Sequence, residues 1–204
     1  LVCSCYVWNW PTTYEVIKQI KSKFPNCLIV IGGPEPKYSV EWMQQHTDID
    51  ILIPYYGEQV FTNVLREYND KKEYNSLDGV ITQQVYNKSL PKIDYDAIPS
   101  PYLNGFFDDL VLNKREQTKG VRCVFESNRG CPYSCVFCDI GAKAYQKVKK
   151  FDLARIEKEL EWIVTNNIKV VDVADANFGI FERDEEIVDI LIKLKKENNW
   201  KGRF

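Results

Sequence analysis

Short apolar runs alternate with amphipathic segments along most of this 204-residue chain. In the first part, residues 1–7, 27–31 and 49–53 are apolar runs of strand length. The segments between them place apolar side chains at helical spacing. Strands that alternate with helices predict a parallel sheet with helices on its faces. Residues 1–75 are therefore expected to form part of a doubly wound α/β domain, whose ligands bind beyond the carboxyl ends of its strands.

Local signals predict the helices of this first domain. Thr12-x-x-Glu15 has the form of a capping box, which predicts a helix start there. Pro25-Asn26 is expected to end that helix, and residues 39–46 predict a short second helix. A third helix, with apolar residues on one face, is expected to follow Gly57-Glu58.

The middle of the chain differs in character from its two ends. Residues 77–81 and 83–86 suggest a small hairpin-like excursion. Pro99 and Pro101 then disfavour helix and indicate a connector. We expect the hairpin and connector to occupy residues 76–118 and to separate two domains.

A second alternating series occupies residues 119–204. Its predicted elements are a strand at 121–126, a cysteine-bearing loop at 127–141, a helix at 152–166, a strand at 168–174, a helix at 184–198 and a strand that begins at 200. Repeated β–α units with functional loops at the strand ends are typical of a TIM-type (β/α) barrel. Too few units are present to close one, so the series predicts the first part of a barrel.

Three cysteines, Cys131, Cys135 and Cys138, stand in one Cys-x3-Cys-x2-Cys run. Thiolates at this spacing can bind an iron–sulfur cluster and leave one iron without a protein ligand, or they can bind zinc. A structural zinc site needs four ligands. The candidates for the fourth are Cys123, which lies in an apolar strand-like run, and the single histidine, His46. The pattern favours an iron–sulfur site, with zinc as the alternative.

Composition restricts the class of protein. Seven cysteines are an odd number, and a chain of this size needs no disulfide staples, so we expect reduced thiols and a cytoplasmic location. A net charge of −2 provides no basic surface for nucleic acid. No apolar run reaches the ~20 residues of a membrane span. Because both ends of the chain lie in strand-like runs, we interpret it as an excised fragment of a longer polypeptide.

The cysteine run, with Phe137 just before its third cysteine, resembles the signature of the radical S-adenosylmethionine (SAM) enzymes. The resemblance implies a [4Fe-4S] cluster held by these three cysteines, with SAM on the open iron. One electron then cleaves SAM to methionine and a 5′-deoxyadenosyl radical. The resemblance also implies that Phe137 lies near the adenine of SAM, and that Asp175 and Asn177 lie near its methionine amino group. Turn formation is the alternative role of Asp175 and Asn177.

Four further segments add a second resemblance. Tyr6-x-Trp8-Asn9, Gly32-Gly-Pro-Glu35, Gly57-Glu58 and Ile98-Pro-Ser-Pro-Tyr102 are similar, in their order, to the cobalamin-binding radical SAM proteins. In that family a flavodoxin-like cobalamin domain precedes the barrel, so the resemblance implies cobalamin as a cofactor. The positions that it implies for cobalamin are Tyr6, Trp8, Asn9, Gly32, Gly33, Pro34, Glu35, Gly57 and Glu58.

Several of these positions also have ordinary structural roles. Gly32 and Gly33 fit a tight turn as well as a close approach to a ligand, and Trp8 and Trp10 fit ordinary packing. Some cobalamin proteins ligate cobalt with the histidine of an Asp-x-His-x-x-Gly segment. His46 lacks that pattern, and we expect it to be structural.

Taken together, the resemblance implies a cobalamin-dependent radical SAM methyltransferase, with an unidentified small-molecule or peptide substrate and an electron donor such as flavodoxin or ferredoxin. One alternative is a radical SAM enzyme that catalyses a rearrangement without methyl transfer. The other is a non-catalytic Fe–S or zinc-binding module. Substrate selection in this family lies largely in later barrel strands, so the truncated span can be inactive even if the parent enzyme is active.

Overall fold

Two parallel sheets, one in each half of the chain, carry the fold. The computed structural model describes residues 1–70, 74–89, 94–112, 121–138 and 147–204. The chain divides into two compact units, which we call the first unit (Leu1–Ile93) and the second unit (Asp94–Phe204). The division falls within the predicted connector at 76–118. The predicted boundary between connector and barrel lies outside the described residues.

The first unit contains a three-stranded sheet in the order β1-β2-β3, with both neighbouring pairs parallel. Its strands are short and follow the apolar runs of the sequence. The elements are β1 (Val2–Ser4), α1 (Trp10–Lys23), β2 (Val30–Gly32), α2 (Val40–Gln45), β3 (Ile51–Ile53) and α3 (Glu58–Asp70). The strict alternation of strand and helix confirms the predicted α/β class.

Both faces of this sheet are covered. Ile31 and Leu52, which are register partners, pack in a core cluster with Ile17 of α1. Their neighbours Val30 and Ile51 are also register partners, and they pack in a second cluster that contains residues of α3. Successive strand residues point to opposite faces, so an unbroken apolar run is what a sheet with two covered faces requires. The doubly wound arrangement is therefore confirmed.

The first helix begins earlier than its capping-box pattern predicts. α1 starts at Trp10, and Asn9 is its N-cap residue. The carbonyl of Asn9 accepts the first helical hydrogen bond, from the amide of Thr13 at 2.9 Å. Pro11 is tolerated in the first turn because the amides there have no intrahelical acceptor. The prediction of a start at Thr12 is therefore wrong.

A short hairpin-like segment adds to the edge of this sheet, as the pattern at 77–86 predicts. Ile81 and Leu52 exchange both backbone hydrogen bonds, each at 2.9 Å. The segment then turns back, and the amide of Thr82 bonds the carbonyl of Val85 at 2.8 Å. Ile81 is fully buried and joins the core cluster of Leu52. The excursion therefore belongs to the first unit.

The second unit is built on a parallel pair of strands. Its elements are α4 (Asp108–Leu112), β4 (Arg122–Phe125), β5 (Asn128–Arg129), β6 (Lys149–Lys150), α5 (Leu153–Thr165), β7 (Val170–Val173) and α6 (Glu182–Glu197). β4 and β7 pair in parallel, with α5 as the crossover between them. After α6, Arg203 forms a parallel bridge with Val170. Strand, helix, strand, helix and a further bridge follow the order predicted for the opening of a barrel.

The core of the second unit lies between its strands and α5 and α6. Phe125, Ile156 and Ile187 are fully buried in one cluster. α5 begins where Phe151-Asp152 predicts, because the Asp152 carboxylate accepts hydrogen bonds from the two amides that follow it in the first turn. The antiparallel pair β5 and β6 and the helix α4 are not predicted from the sequence. No helix among the described residues is long and apolar enough to cross a membrane.

Candidate functional site

The cysteine loop, residues 127–141, begins at the carboxyl end of β4. Its first residues form β5, which pairs with β6 in the register Asn128 to Lys150 and Arg129 to Lys149. Through this pairing, the residues that follow the loop lie beside the residues at which the loop begins. The last residues of the loop, from 139 onwards, lie outside the described part of the chain. The described part carries all three cysteines of the motif.

The three cysteines are free thiols with different exposures. Cys131 is half-buried, whereas Cys135 and Cys138 are exposed. The amide of Cys138 bonds the carbonyl of Cys135 at 3.1 Å, which makes a turn between them. Within the described ranges, no group of three His, Cys, Asp or Glu side chains is placed to hold a metal ion. The structure therefore puts the thiols on one loop but does not bring their sulfurs together.

The carboxylate of Asp175 accepts hydrogen bonds from the first two residues of the cysteine loop. One oxygen of its carboxylate accepts hydrogen bonds from the backbone amides of Ser127 (2.7 Å) and Asn128 (3.1 Å). The other accepts from the Ser127 hydroxyl and from Nδ2 of Asn128 (2.8 Å for the amide). Ser127 is 0% and Asn128 4% exposed, so this carboxylate satisfies donors that water does not reach.

Asn177, two residues further on, contacts the first cysteine. Its Nδ2 donates a hydrogen bond to Sγ of Cys131 at 3.0 Å. The structure thus brings together three of the predicted site residues, Cys131, Asp175 and Asn177. Sequence reasoning missed Ser127 and Asn128, although two small polar residues directly after a predicted strand are a signal for such a contact.

Phe137 lies on the exposed part of the cysteine loop. Its side chain is 89% exposed, and that of Val136 is fully exposed. Single exposed apolar side chains are common on protein surfaces, so this exposure leaves room for a ligand but does not identify one. The position of Phe137 near an adenine ring stays a prediction.

Two other cysteines, Cys5 and Cys123, are buried in the cores of their units. Cys123 lies in β4 and faces the helices, and burial raises its pKa to about 11. Burial also raises the pKa of Cys5, in the first unit, to about 12. Cys123 packs in the core cluster of the second unit and, among the described residues, belongs to no group of three His, Cys, Asp or Glu side chains that could hold a metal ion.

The residues predicted to bind cobalamin lie at one edge of the first sheet. Tyr6 and Trp8 follow β1, Gly32 ends β2, and Gly57 lies between β3 and α3. Because the three strands are parallel, their carboxyl ends meet at the same edge, which is where doubly wound folds bind ligands. These positions therefore lie at one edge of the sheet, and cobalamin binding there stays a prediction.

The segment after β1 presents an aromatic pair at this edge. The rings of Tyr6 and Trp8 stack with centroids 4.6 Å apart and an interplanar angle of 13°. Trp8 is 75% exposed. Asn9 holds this turn, since its side chain accepts from the amide of Tyr6 (2.8 Å) and donates to the carbonyl of Ser4 (3.0 Å). The role of Asn9 in this structure is thus to shape the loop that presents Trp8.

The glycines after β2 are required by the unit's own packing. Gly33 has φ of +100°, and a Cβ there would lie 2.3 Å from the carbonyl oxygen of Cys5. A Cβ on Gly32 would lie 3.2 Å from the carbonyl oxygen of Ile53. The positive φ and the contact with Cys5 explain Gly33, the contact with Ile53 favours a small residue at Gly32, and the approach of either glycine to a ligand stays a prediction.

His46 and Trp10 have structural roles. The imidazole of His46 stacks on Trp42 with centroids 3.9 Å apart, and its Nδ1 bonds the carbonyl of Trp42 at 2.8 Å. Trp10 stacks on Tyr14 at 5.1 Å and contacts the same histidine. Both side chains belong to an aromatic cluster on α1 and α2, as the sequence predicts for His46.

Curated relatives match nearly all of this chain. It is 37% identical, over 97% of its length, to the cobalamin-dependent radical SAM methyltransferase TokK of Streptomyces tokunonensis. It is 35% identical, over 94% of its length, to the 2-(S-pantetheinyl)-carbapenam-3-carboxylate methyltransferase of Streptantibioticus cattleyicolor. The chain is similar to part of each of these two methyltransferases, of which TokK is named as cobalamin-dependent and radical SAM. It spans 30% and 29% of the length of these two relatives.

Solved structures of cobalamin-dependent radical SAM enzymes share this fold. OxsB with aqua-cobalamin and SAM bound superposes with a TM-score of 0.73 at 17% identity, over 96% of this chain and 28% of OxsB. TsrM from Kitasatospora setae superposes with a TM-score of 0.61 at 12% identity, over 92% of this chain and 37% of TsrM. No family model matches the sequence. The predicted cobalamin-binding radical SAM architecture is therefore confirmed at the level of the fold.

Proposed function

We propose that this protein is a radical SAM iron–sulfur enzyme that transfers a methyl group to a small-molecule substrate with the help of cobalamin. One observation carries the proposal: a loop with free Cys131, Cys135 and Cys138 is fixed to the carboxyl ends of β4 and β7, in a chain 37% identical to a methyltransferase of this class. Both relatives are named as methyltransferases, and this supports methyl transfer over other radical reactions.

The donor set fits a cluster. Three free thiols share one loop, and two of them are exposed, so sulfurs can converge on a cluster without breaking a core. A [4Fe-4S] cluster held there supplies the single electron that cleaves SAM to methionine and a 5′-deoxyadenosyl radical. Cys131, Cys135 and Cys138 are its proposed ligands, and we assign exposed Phe137 to contact with the adenine of SAM.

We assign different roles to Asp175 and Asn177, the two polar residues that follow β7. Asp175 already accepts four hydrogen bonds from Ser127 and Asn128, so we assign it to holding the loop. The side-chain amide of Asn177 contains both a hydrogen-bond donor, Nδ2, and an acceptor, Oδ1. Its Nδ2 donates to Cys131, and its Oδ1 can accept a hydrogen bond from the ammonium of SAM.

The edge of the first sheet is the proposed cobalamin site. Exposed Trp8, stacked on Tyr6, offers a flat apolar surface to a corrin ring. Gly32, Gly33, Pro34 and Glu35, together with Gly57 and Glu58, would complete the site from the neighbouring strands. Cobalamin bound there would supply the methyl-transfer chemistry, while Trp8 and the residues at the strand ends would position it and exclude water.

Three further parts belong to this proposal. The substrate is a small organic molecule, since the relative from Streptantibioticus cattleyicolor is named as the methyltransferase of 2-(S-pantetheinyl)-carbapenam-3-carboxylate. The electron comes from a protein donor such as flavodoxin or ferredoxin. A cytoplasmic location would keep the free thiols reduced.

The test is anaerobic assembly with iron and sulfide, followed by addition of SAM and hydroxocobalamin. We expect bound iron, visible absorption, an electron paramagnetic resonance (EPR) spectrum that changes with SAM, and saturable cobalamin binding. Cys135→Ala should lose the cluster, whereas Cys27→Ala, which changes a thiol in the first unit, should retain it.

The alternatives give different results in the same experiment. Bound zinc without iron would contradict the proposal and support a non-catalytic metal-binding module. A cluster that responds to SAM, in a protein with no affinity for hydroxocobalamin, would refute methyl transfer by cobalamin and leave a radical SAM enzyme of another reaction type.

A further inference from the structure

We infer that Asn177 is a positioning residue that tunes the electron affinity of the cluster through its hydrogen bond to Cys131. The inference rests on the cluster of the proposed function. It assigns a role to the side chain of Asn177 that differs from contact with SAM. Nδ2 of Asn177 lies 3.0 Å from Sγ of Cys131, 46 residues away in the chain.

The contact is part of an ordered series between two loops. The amide of Ala174 bonds the carbonyl of Phe125 at 2.8 Å. Asp175 then bonds Ser127 and Asn128, and Asn177 bonds Cys131. Successive residues after β7 therefore contact successive residues after β4. This series of hydrogen bonds between the two loops holds the side-chain amide of Asn177 beside Sγ of Cys131.

The far end of the same loop is also fixed. Oδ2 of Asp184, at the start of α6, accepts hydrogen bonds from the amides of Gly179 (2.8 Å) and Phe181 (3.1 Å). Asp184 is only 2% exposed. Asn177 thus lies between Asp175, whose carboxylate anchors the loop to Ser127 and Asn128, and Gly179, whose amide is held by Asp184. A donor held this way keeps its direction without reorganisation when the charge of the cluster changes.

The hydrogen bond has a defined direction once Cys131 ligates iron. A ligating cysteine is a thiolate without a proton, so the sulfur can only accept, and the amide of Asn177 must donate. Hydrogen bonds to the sulfurs are one of the factors that set the reduction potential of an iron–sulfur cluster. Donation stabilises the more negative, reduced state and therefore raises the potential.

The effect is specific to one corner of the cluster. In the part of the cysteine loop that the structure describes, Cys131 receives this side-chain hydrogen bond, while Cys135 and Cys138 are exposed on the outer part of the loop. The cluster would therefore be held asymmetrically, with its most buried ligand also its most strongly hydrogen-bonded one.

The test is a redox titration of the assembled cluster, followed by EPR without SAM. Asn177→Leu keeps the size of the side chain and removes the donor. Asn177→Asp keeps its shape and replaces the donor with an acceptor oxygen that carries negative charge. We expect both variants to bind as much iron as the unmodified protein and to have a more negative midpoint potential, with the larger shift in Asn177→Asp.

Asn166→Leu is the matched control. Asn166 is also a half-buried asparagine of the second unit, but its Nδ2 donates to the carbonyl of Trp162 at the end of α5. Its midpoint potential should equal that of the unmodified protein. Unchanged potentials in both Asn177 variants would overturn the inference.

Two further outcomes are decisive. If both Asn177 variants fail to assemble a cluster that Asn166→Leu does assemble, Asn177 is needed for assembly, and tuning is refuted. If the unmodified protein assembles no cluster, the proposed function itself fails, which separates the two claims.

Discussion

Asp175 accepts hydrogen bonds from both the backbone amide and the side-chain hydroxyl of Ser127, 48 residues earlier in the chain. Ser127 is fully buried at the carboxyl end of β4. A buried amide and hydroxyl without acceptors each cost free energy of the order of a lost hydrogen bond. The carboxylate therefore determines how the cysteine loop leaves the sheet.

Replacement of Asp175 should release this loop. Asp175→Ala leaves the amides of Ser127 and Asn128 without their acceptor, at a cost of about 3 kcal/mol. Hydrogen exchange of these two amides should then be roughly 100-fold faster, because each 1.4 kcal/mol is a factor of ten. Mass spectrometry of the peptide that contains them measures the change. Asp172→Ala, which removes the exposed partner of Arg122, is the control and should leave this exchange rate unaltered.

Two glycines at the proposed cobalamin site should lose very different amounts of stability when replaced by alanine. Gly33→Ala combines a positive φ with a Cβ at 2.3 Å from a backbone oxygen, so we expect a loss of at least about 3 kcal/mol in the free energy of unfolding. A Cβ on Gly57 would meet only the side chain of Ile53, at 3.7 Å. Gly57→Ala should change stability by less than about 1 kcal/mol.

Because Gly57→Ala should remain folded, this variant can test whether Gly57 belongs to the proposed cobalamin site. If Gly57 contacts the corrin, Gly57→Ala should weaken hydroxocobalamin binding about tenfold, which corresponds to 1.4 kcal/mol. Equilibrium binding followed by absorbance measures it. Unchanged affinity in a folded Gly57→Ala protein would remove Gly57 from the site.

The elements that were predicted well from the sequence are those with a periodic apolar pattern. Ile51–Ile53 is apolar throughout because neighbouring residues enter cores on opposite faces of the sheet. β5 and β6 were missed because Asn128 and Lys150 are polar and pair through the backbone alone. A two-residue ladder leaves no pattern in the side chains.

In the candidate site too, only the features that depend on residues close together in the sequence could be predicted. The cysteine spacing indicates a cluster by itself, since the chemistry lies in three nearby residues. The roles of Asp175 and Gly33 depend on partners far away in the chain, Ser127 and Cys5. Residue type at these positions is equally consistent with a plain turn, so only the folded structure separates the interpretations.

Alkaline pH should destabilise the second unit through Cys123. Burial, and to a smaller extent the charge of Asp172, raises the pKa of Cys123 to about 11. The unfolded chain has an ordinary cysteine pKa of about 8.5. The folded state thus keeps a proton that the unfolded state releases, so stability is complete below about pH 8.5 and falls as pH rises towards 11. At pH 10 the loss from this group is about 2 kcal/mol.

Urea unfolding at two pH values isolates the contribution of Cys123 ionisation to the free energy of unfolding. The difference in the free energy of unfolding between the unmodified protein and Cys123→Ala should shrink by about 2 kcal/mol from pH 7.5 to pH 10. A difference that does not change with pH would show that Cys123 ionises equally in both states. Tyr102, whose pKa burial raises to about 12, contributes in the same direction only above about pH 10.

Arg155 of α5 forms a buried ion pair within its own helix and also attaches the connector to that helix. Arg155 donates to Glu159 at 2.9 Å and to the carbonyls of Tyr95 (3.3 Å) and Ile98 (2.6 Å). The side chain of Glu159 is only 5% exposed. Arg155→Met leaves this carboxylate buried without its cation, and we expect a loss of about 3–5 kcal/mol in urea unfolding. Arg122→Met, which breaks an exposed pair, should cost less than about 1 kcal/mol.

The double variant Arg155→Met/Glu159→Leu separates charge burial from connector attachment. Removal of both charges ends the desolvation cost, so most of the lost stability should return. The carbonyls of Tyr95 and Ile98 would still lack their donor, and limited proteolysis should cut the connector faster in both variants than in the unmodified protein. If the double variant is as unstable as Arg155→Met, the guanidinium acts chiefly by holding the connector, and the pairing with Glu159 contributes little.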